Sequence, residues 1–189
     1  MQTIQISGET RTSLGKRATK QLRSEEKVPC VLYGGNENTH FIVEERGFKD
    51  LIYTPNVHLV ELLISGKSHK AILQDIQYHP VSDKIMHVDF LAITEEKPII
   101  IEVPIKLDGL AEGVKAGGKL QLEIRKLKVK GLAKHLPDTL DINIDNLGLG
   151  KTIQVKELAF DNLEILNAKN AVVVSVKLTR AARAAQQGK

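Results

Sequence analysis

The chain has no tryptophan, only 4% aromatic residues and a single cysteine among its 189 residues. With so few rings, its cores must be built from Val, Ile and Leu. One cysteine, Cys30, excludes an internal disulfide and any cysteine-rich zinc site, and fits a reducing compartment. No apolar run approaches the roughly 20 residues that a helix needs to span a bilayer. The opening MQTIQISGETR lacks the basic-then-apolar order of a secretory signal. These absences predict a soluble cytoplasmic protein. A strong charge imbalance is also missing, since the net charge is only +4.

What is present is local. Residues 1–94 carry 11 Lys/Arg and 11 Asp/Glu, yet residues 9–23 hold Arg11, Lys16, Arg17, Lys20 and Arg23 against Glu9 alone. Residues 95–179 carry 13 basic and 12 acidic residues, and the last ten add three more cations. The basic charge of the first half is therefore a candidate patch.

The first half reads as short strands separated by turn signals: Thr3–Ser7, Pro29–Tyr33, Val57–Ser65, Ala71–Tyr78 and Ile85–Ile93. The third and fourth look like a hairpin turning through Gly66-Lys67. Only 14–25 and 46–53 look helical. Such a pattern predicts a small barrel or sandwich. At TEEKP, residues 94–98, polarity rises and a proline follows, as in a linker. Beyond it, strands are expected at Ile99–Leu107, Leu120–Val129, Leu140–Ile144, Ile153–Leu158 and Ala171–Leu178, with a glycine-rich connection at 109–118. The domain expectation is thus 1–94, a second all-β domain at 95–179, and a flexible basic tail at 180–189.

On a helix of about 100° per residue, Lys16, Thr19, Lys20 and Arg23 fall in one arc, with Leu14, Ala18 and Leu22 opposite. A solvated helix face usually interleaves Glu with Lys, but here Glu25 and Glu26 follow the helix. Three cations and a hydroxyl on one face suit a phosphate backbone.

The stretch QDIQYHPVSDKIMHVDF places Asp75, His79, Asp83, His87 and Asp89 within seventeen residues. Strand alternation puts Ile85, His87, Asp89 and Leu91 on one face and Met86, Val88, Phe90 and Ala92 on the other. Three readings compete with a plain polar pair on a strand. A zinc site would need further ligands from His79 or Asp75. Catalysis by His87 would need a nucleophile or an activated water, and no serine or cysteine stands in such a context. Recognition needs only donors and acceptors, which His87, Asp89, Gln74 and Gln77 supply beside a basic helix. GLGKT at 148–152 is no phosphate-binding loop, because the glycine required five positions before Gly150 is Asp145.

GKRATKQLR, then VPCVLYGG, then LQDIQYHPVSDKIMHVDF, in that order and spacing, resemble the bacterial large-subunit ribosomal protein twenty-five family, the CTC or general-stress type. GVKAGGKLQLE and HLPDTLDINIDNL resemble the extra domain of its longer members. The resemblance implies a mainly β fold: a six-stranded β-barrel with short helices, then a second all-β domain. It also implies a ribosome-associated, non-enzymatic protein that binds 5S rRNA at its irregular loop E region, with no cofactor. By motif, the RNA-contacting positions become Arg11, Lys16, Thr19, Lys20, Arg23, Tyr33, Gln74, Gln77, His87 and Asp89. The cations would neutralise phosphates, Thr19 would add a hydroxyl donor, and Tyr33 would meet the sugar-phosphate wall. His87, Asp89 and the glutamines would bond base edges or 2′-hydroxyls. Many members carry arginines where this chain has Lys20 and Gln21, so the charge here is distributed differently.

Overall fold

The computed structural model describes residues 2–35, 37–94 and 97–179. They fall into two compact units that divide between Ile99 and Ile100. Glu95 and Glu96, at the centre of the expected linker, and the tail expected from residue 180 lie outside the described residues.

In the first unit six strands close into a barrel: β1 (Gln2–Thr10), β2 (Lys27–Tyr33), β3 (Thr39–Glu44), β4 (His58–Ile64), β5 (Lys67–Tyr78) and β6 (Ile85–Ala92). The order around the barrel is β1-β3-β2-β6-β5-β4. β1 runs parallel to β4 and β2 to β6, while the remaining neighbours are antiparallel. Helix α1 (Lys16–Ser24) joins β1 to β2; a 3-10 turn at Glu45–Phe48 and the short helix α2 (Lys49–Ile52) follow β3.

β4, HLVELLI, buries every second residue, because alternating side chains point into the barrel. The centre differs from the expectation of an aliphatic core. Phe41, Phe48 and Phe90 are all fully buried, with Phe90 centred 5.8 Å from Phe41 and 6.4 Å from Phe48. Three of the four phenylalanines thus sit where each ring removes the most apolar surface from water, worth about 1.5–3 kcal/mol apiece. Cys30 is buried beside them, and burial pushes its thiol well up.

The hairpin turn is Ser65-Gly66 rather than Gly66-Lys67, since Ile64 pairs with Lys67 and both turn residues have positive φ (47° and 86°). That geometry matches the strand twist and favours glycine at the second position. β3 has no counterpart among the strands read from the sequence, although Phe41 and Val43 alternate inward within it. α1 begins two residues later than expected, because Gly15 sits at φ 112° and Leu14 is left 59% exposed. Only Ala18 and Leu22 of its apolar side are half-buried.

The second unit is also all-β apart from short helical turns. β7 (Ile99–Asp108), β9 (Lys126–Gly131), β10 (Leu140–Asn143) and β12 (Glu164–Ile165) form a sheet in the order β10-β7-β9-β12. β8 (Lys119–Leu122), β11 (Thr152–Gln154) and β13 (Val172–Lys177) form another, in the order β11-β13-β8. The expected strand 120–129 is broken, because Glu123 and Ile124 both hydrogen bond to the Val173 carbonyl before β9 begins in the other sheet. Likewise 153–158 becomes β11 followed by a 3-10 turn, Val155–Glu157. The glycine-rich connection contains helix α3 (Glu112–Lys115). GLGKT forms a turn leading into β11, with Gly150 at φ 73° and no following helix.

Candidate nucleic-acid interface

The outer wall of β2, β5 and β6 holds a polar cluster whose placement depends on two irregularities of register. On β6, Tyr78 pairs with Ile85 but Gln77 pairs with His87, so Met86 is an extra residue. This bulge turns Ile85 into the core, where it is only 4% exposed, against the expectation that it shares a face with His87. On β5, Leu73 pairs with Phe90 but Asp75 pairs with Asp89, so Gln74 is the extra residue there. The second bulge places Asp75 opposite Asp89, and the register puts Gln77 opposite His87.

His87 Nδ1 lies 2.6 Å from Asp89 Oδ1. An ionised carboxylate can only accept, so Nδ1 carries the proton and donates it. The second Asp89 oxygen and His87 Nε2 have no partner among the described residues. Both side chains are about a quarter exposed, at 28% and 26%. Asp89 is also paired across the strands with Val31 of β2, whose outward neighbour is Tyr33. Burial, then the Asp89 and Asp75 carboxylates, push the Tyr33 phenol above its ordinary range. Tyr33, Asp75, Gln77, His87 and Asp89 thus form one patch, with Gln74 exposed at its bulge. Asp75 is the residue that sequence reading left out of this group.

Helix α1 joins the patch through Arg23. Its Nε and Nη2 both donate to the carbonyl oxygen of Met86, at 3.1 and 2.9 Å. The bulge exposes that carbonyl, and the planar guanidinium fork fits it. Burial, then the charge of Arg11, lower the Arg23 pKa. At the other end of the helix, Arg11 Nη2 donates to Thr19 Oγ1 (2.7 Å) and its Nε to the Ser13 carbonyl (2.8 Å). Thr19 in turn donates its only hydroxyl proton to the Gly15 carbonyl, 2.8 Å away, and so has none to offer a phosphate. These two arginines are committed to holding the helix.

Lys16, Arg17 and Lys20 are exposed and form no ion pair among the described residues. The first turn contains no acidic residue. Cations at a helix N-terminus oppose its dipole and cost folding stability, but together with the free N–H groups they concentrate positive potential. Arg17 belongs to this group and was visible in sequence only as part of the charge run.

A metal centre does not assemble here. No three His, Cys, Asp or Glu side chains converge suitably among the described residues. His79 is occupied in the β5–β6 turn, where Nδ1 accepts from the Val81 and Ser82 amides at 3.3 and 3.2 Å. Asp83 closes the same turn at φ 52°, its N–H donating to the His79 carbonyl. Among the described residues, no helix is long and apolar enough to cross a membrane.

Comparison with known proteins covers both units. A model of the ribosomal L25p family matches residues 6–90, and one of the ribosomal protein TL5 C-terminal domain matches 98–180. Relatives named large ribosomal subunit protein bL25 span almost the whole chain. That of Azobacteroides pseudotrichonymphae is 59% identical over 97% of each chain. Those of Porphyromonas gingivalis and Bacteroides fragilis are 57% and 56% identical, over 98% of this chain and 97% of theirs. With both halves matched in order and the identity this high, the chain belongs to the ribosomal L25p family, in the form that carries a TL5-type C-terminal domain.

Proposed function

We propose that the chain is a structural component of the large ribosomal subunit in the cytoplasm, where it binds 5S rRNA at loop E and stabilises the central protuberance. The family is one of ribosomal proteins rather than enzymes. One observation carries the RNA reading: the Arg23–Met86 clamp sets a helix, with three cations that form no ion pair among the described residues, beside a strand face of donors and acceptors. Lys16, Arg17 and Lys20 meet phosphates, and Arg11 and Arg23 add charge from fixed positions. Tyr33, Gln74, Gln77, His87 and Asp89 face the minor groove. Carboxylates repel phosphates, so Asp89 and Asp75 take hydrogen bonds from 2′-hydroxyls or amino groups within an accessible groove.

Binding to 5S rRNA measured over a salt series tests this reading. Each phosphate contact contributes about 0.7–0.9 to the slope of log affinity against log salt. Affinity should therefore fall steeply as salt rises. A salt-independent affinity would overturn the reading.

A further inference from the structure

The barrel wall is closed unevenly. β1 pairs with β4 along Gln2–Gly8, but with β3 only at Glu9 and Thr10. Below that point β3 ends at Glu44 and the chain leaves the wall as the 3-10 turn Glu45–Phe48. The Gly8 carbonyl accepts from the Ser65 amide after β4, at 3.2 Å, so even-numbered residues of β1 present their backbone to β4. In a strand, alternate residues face opposite neighbours, which leaves the N–H and C=O of Gln5 and Ser7 directed at the seam. Gln5 and Ser7 have no ladder partner on β3, and among the described residues no backbone group of the 3-10 turn bonds to them.

A groove of about 400 Å³ opens at this place, lined by Gln5, Ser7, Ile42, Glu44 and Gly47 among others. Gly47 contributes no side chain, and a Cβ there would meet only Val43, at 3.3 Å. Glu9 and Glu44 are exposed on the rim; Lys27, which also lines the groove opposite Glu44, has its Nζ 4.0 Å from Glu25, so the acidic residues there outnumber the basic one. An unpaired strand edge is complemented by another extended backbone, and an acidic rim by basic side chains. Phosphates would be repelled.

We propose that the open seam between β1 and the end of β3 is a docking groove for an extended basic polypeptide segment, which adds as a strand beside Gln5 and Ser7. This surface shares no residue with the RNA face. The partner is a protein rather than nucleic acid, and it is recognised through its main chain and its Lys or Arg side chains.

The test places a photoreactive benzophenone side chain at position 5 of the full-length protein within purified large subunits. After irradiation and nuclease treatment, the expected product is an adduct with a Lys/Arg-rich protein segment. That adduct should fall at least fivefold with Glu9→Gln and Glu44→Gln combined, and amide exchange at Ser7 should slow at least tenfold on incorporation into subunits. An adduct with rRNA, an adduct with a segment that is not basic, no adduct, an adduct undiminished in the variant, or unchanged exchange at Ser7 each overturns the proposal. A second benzophenone at position 20, expected to yield an RNA adduct, and recovery of the chain with the subunit report on the ribosomal reading separately.

Discussion

Replacing Arg23 by lysine preserves the charge and removes the fork, so it separates two roles that alanine would confuse. In the parent, two guanidinium nitrogens reach one carbonyl, that of Met86, at 3.1 and 2.9 Å. A hydrogen bond to a charged group contributes about 1.5–3 kcal/mol. Here both donors share a single acceptor and the site is only part-buried, so water replaces part of the loss. A cost of about 1–2 kcal/mol to the barrel follows. For a unit of roughly a hundred residues, each kcal/mol lowers Tm by about 4–8 °C. RNA binding then has to re-dock the helix, which costs up to the same free energy, about fivefold to thirtyfold in affinity. The salt slope should hold, because no charge is lost. Calorimetry and RNA titrations at several salt concentrations measure all three quantities. An Arg23→Lys protein with parental Tm and parental affinity would refute the clamp.

Three further outcomes are expected. Lys16→Ala and Lys20→Ala should each lower the salt slope by about 0.7–0.9 with little change in Tm, whereas a parental slope would remove that residue from the phosphate contacts. Asp89→Asn should bring the Tyr33 ionisation down towards its ordinary value, read by tyrosine NMR during an alkaline titration. The sign follows from the raised folded pKa: its contribution is full below the unfolded value, near 10, and is lost as pH rises through the folded one. Asp89→Asn should therefore soften the alkaline loss of stability; an unmoved Tyr33 midpoint would contradict the cluster. Ile85→Ala should cost about 2–4 kcal/mol in denaturant unfolding, since Ile85 is a core residue 4% exposed. A surface-like cost below about 0.5 kcal/mol would deny the bulge at Met86.

The parts of the site legible in sequence were those set by local periodicity. His87 and Asp89 are two apart on a strand, and the structure joins them by a 2.6 Å hydrogen bond. Cations three and four apart likewise shared a helix face. What stayed hidden depends on partners distant in sequence. Whether Ile85 faces inward is decided by its pairing with Tyr78, and the place of Asp75 by the extra Gln74 on β5. Alternation cannot register a bulge, because one inserted residue reverses every face beyond it. Arg23 carried the same charge signal as Lys20, yet its carbonyl partner lies 63 residues away. In the sequence Thr19 offers a hydroxyl donor, but in the fold that proton goes to the Gly15 carbonyl. β3 leaves little trace in the sequence because THFIVE is short and offers only two buried positions, Phe41 and Val43, to mark its period.

The most direct test of the central claim is a chemical footprint of 5S rRNA, free and bound to the full-length chain. The account requires protection confined to the loop E region and lost there with Asp89→Ala. Protection elsewhere on the RNA, or none at saturating protein, would contradict it.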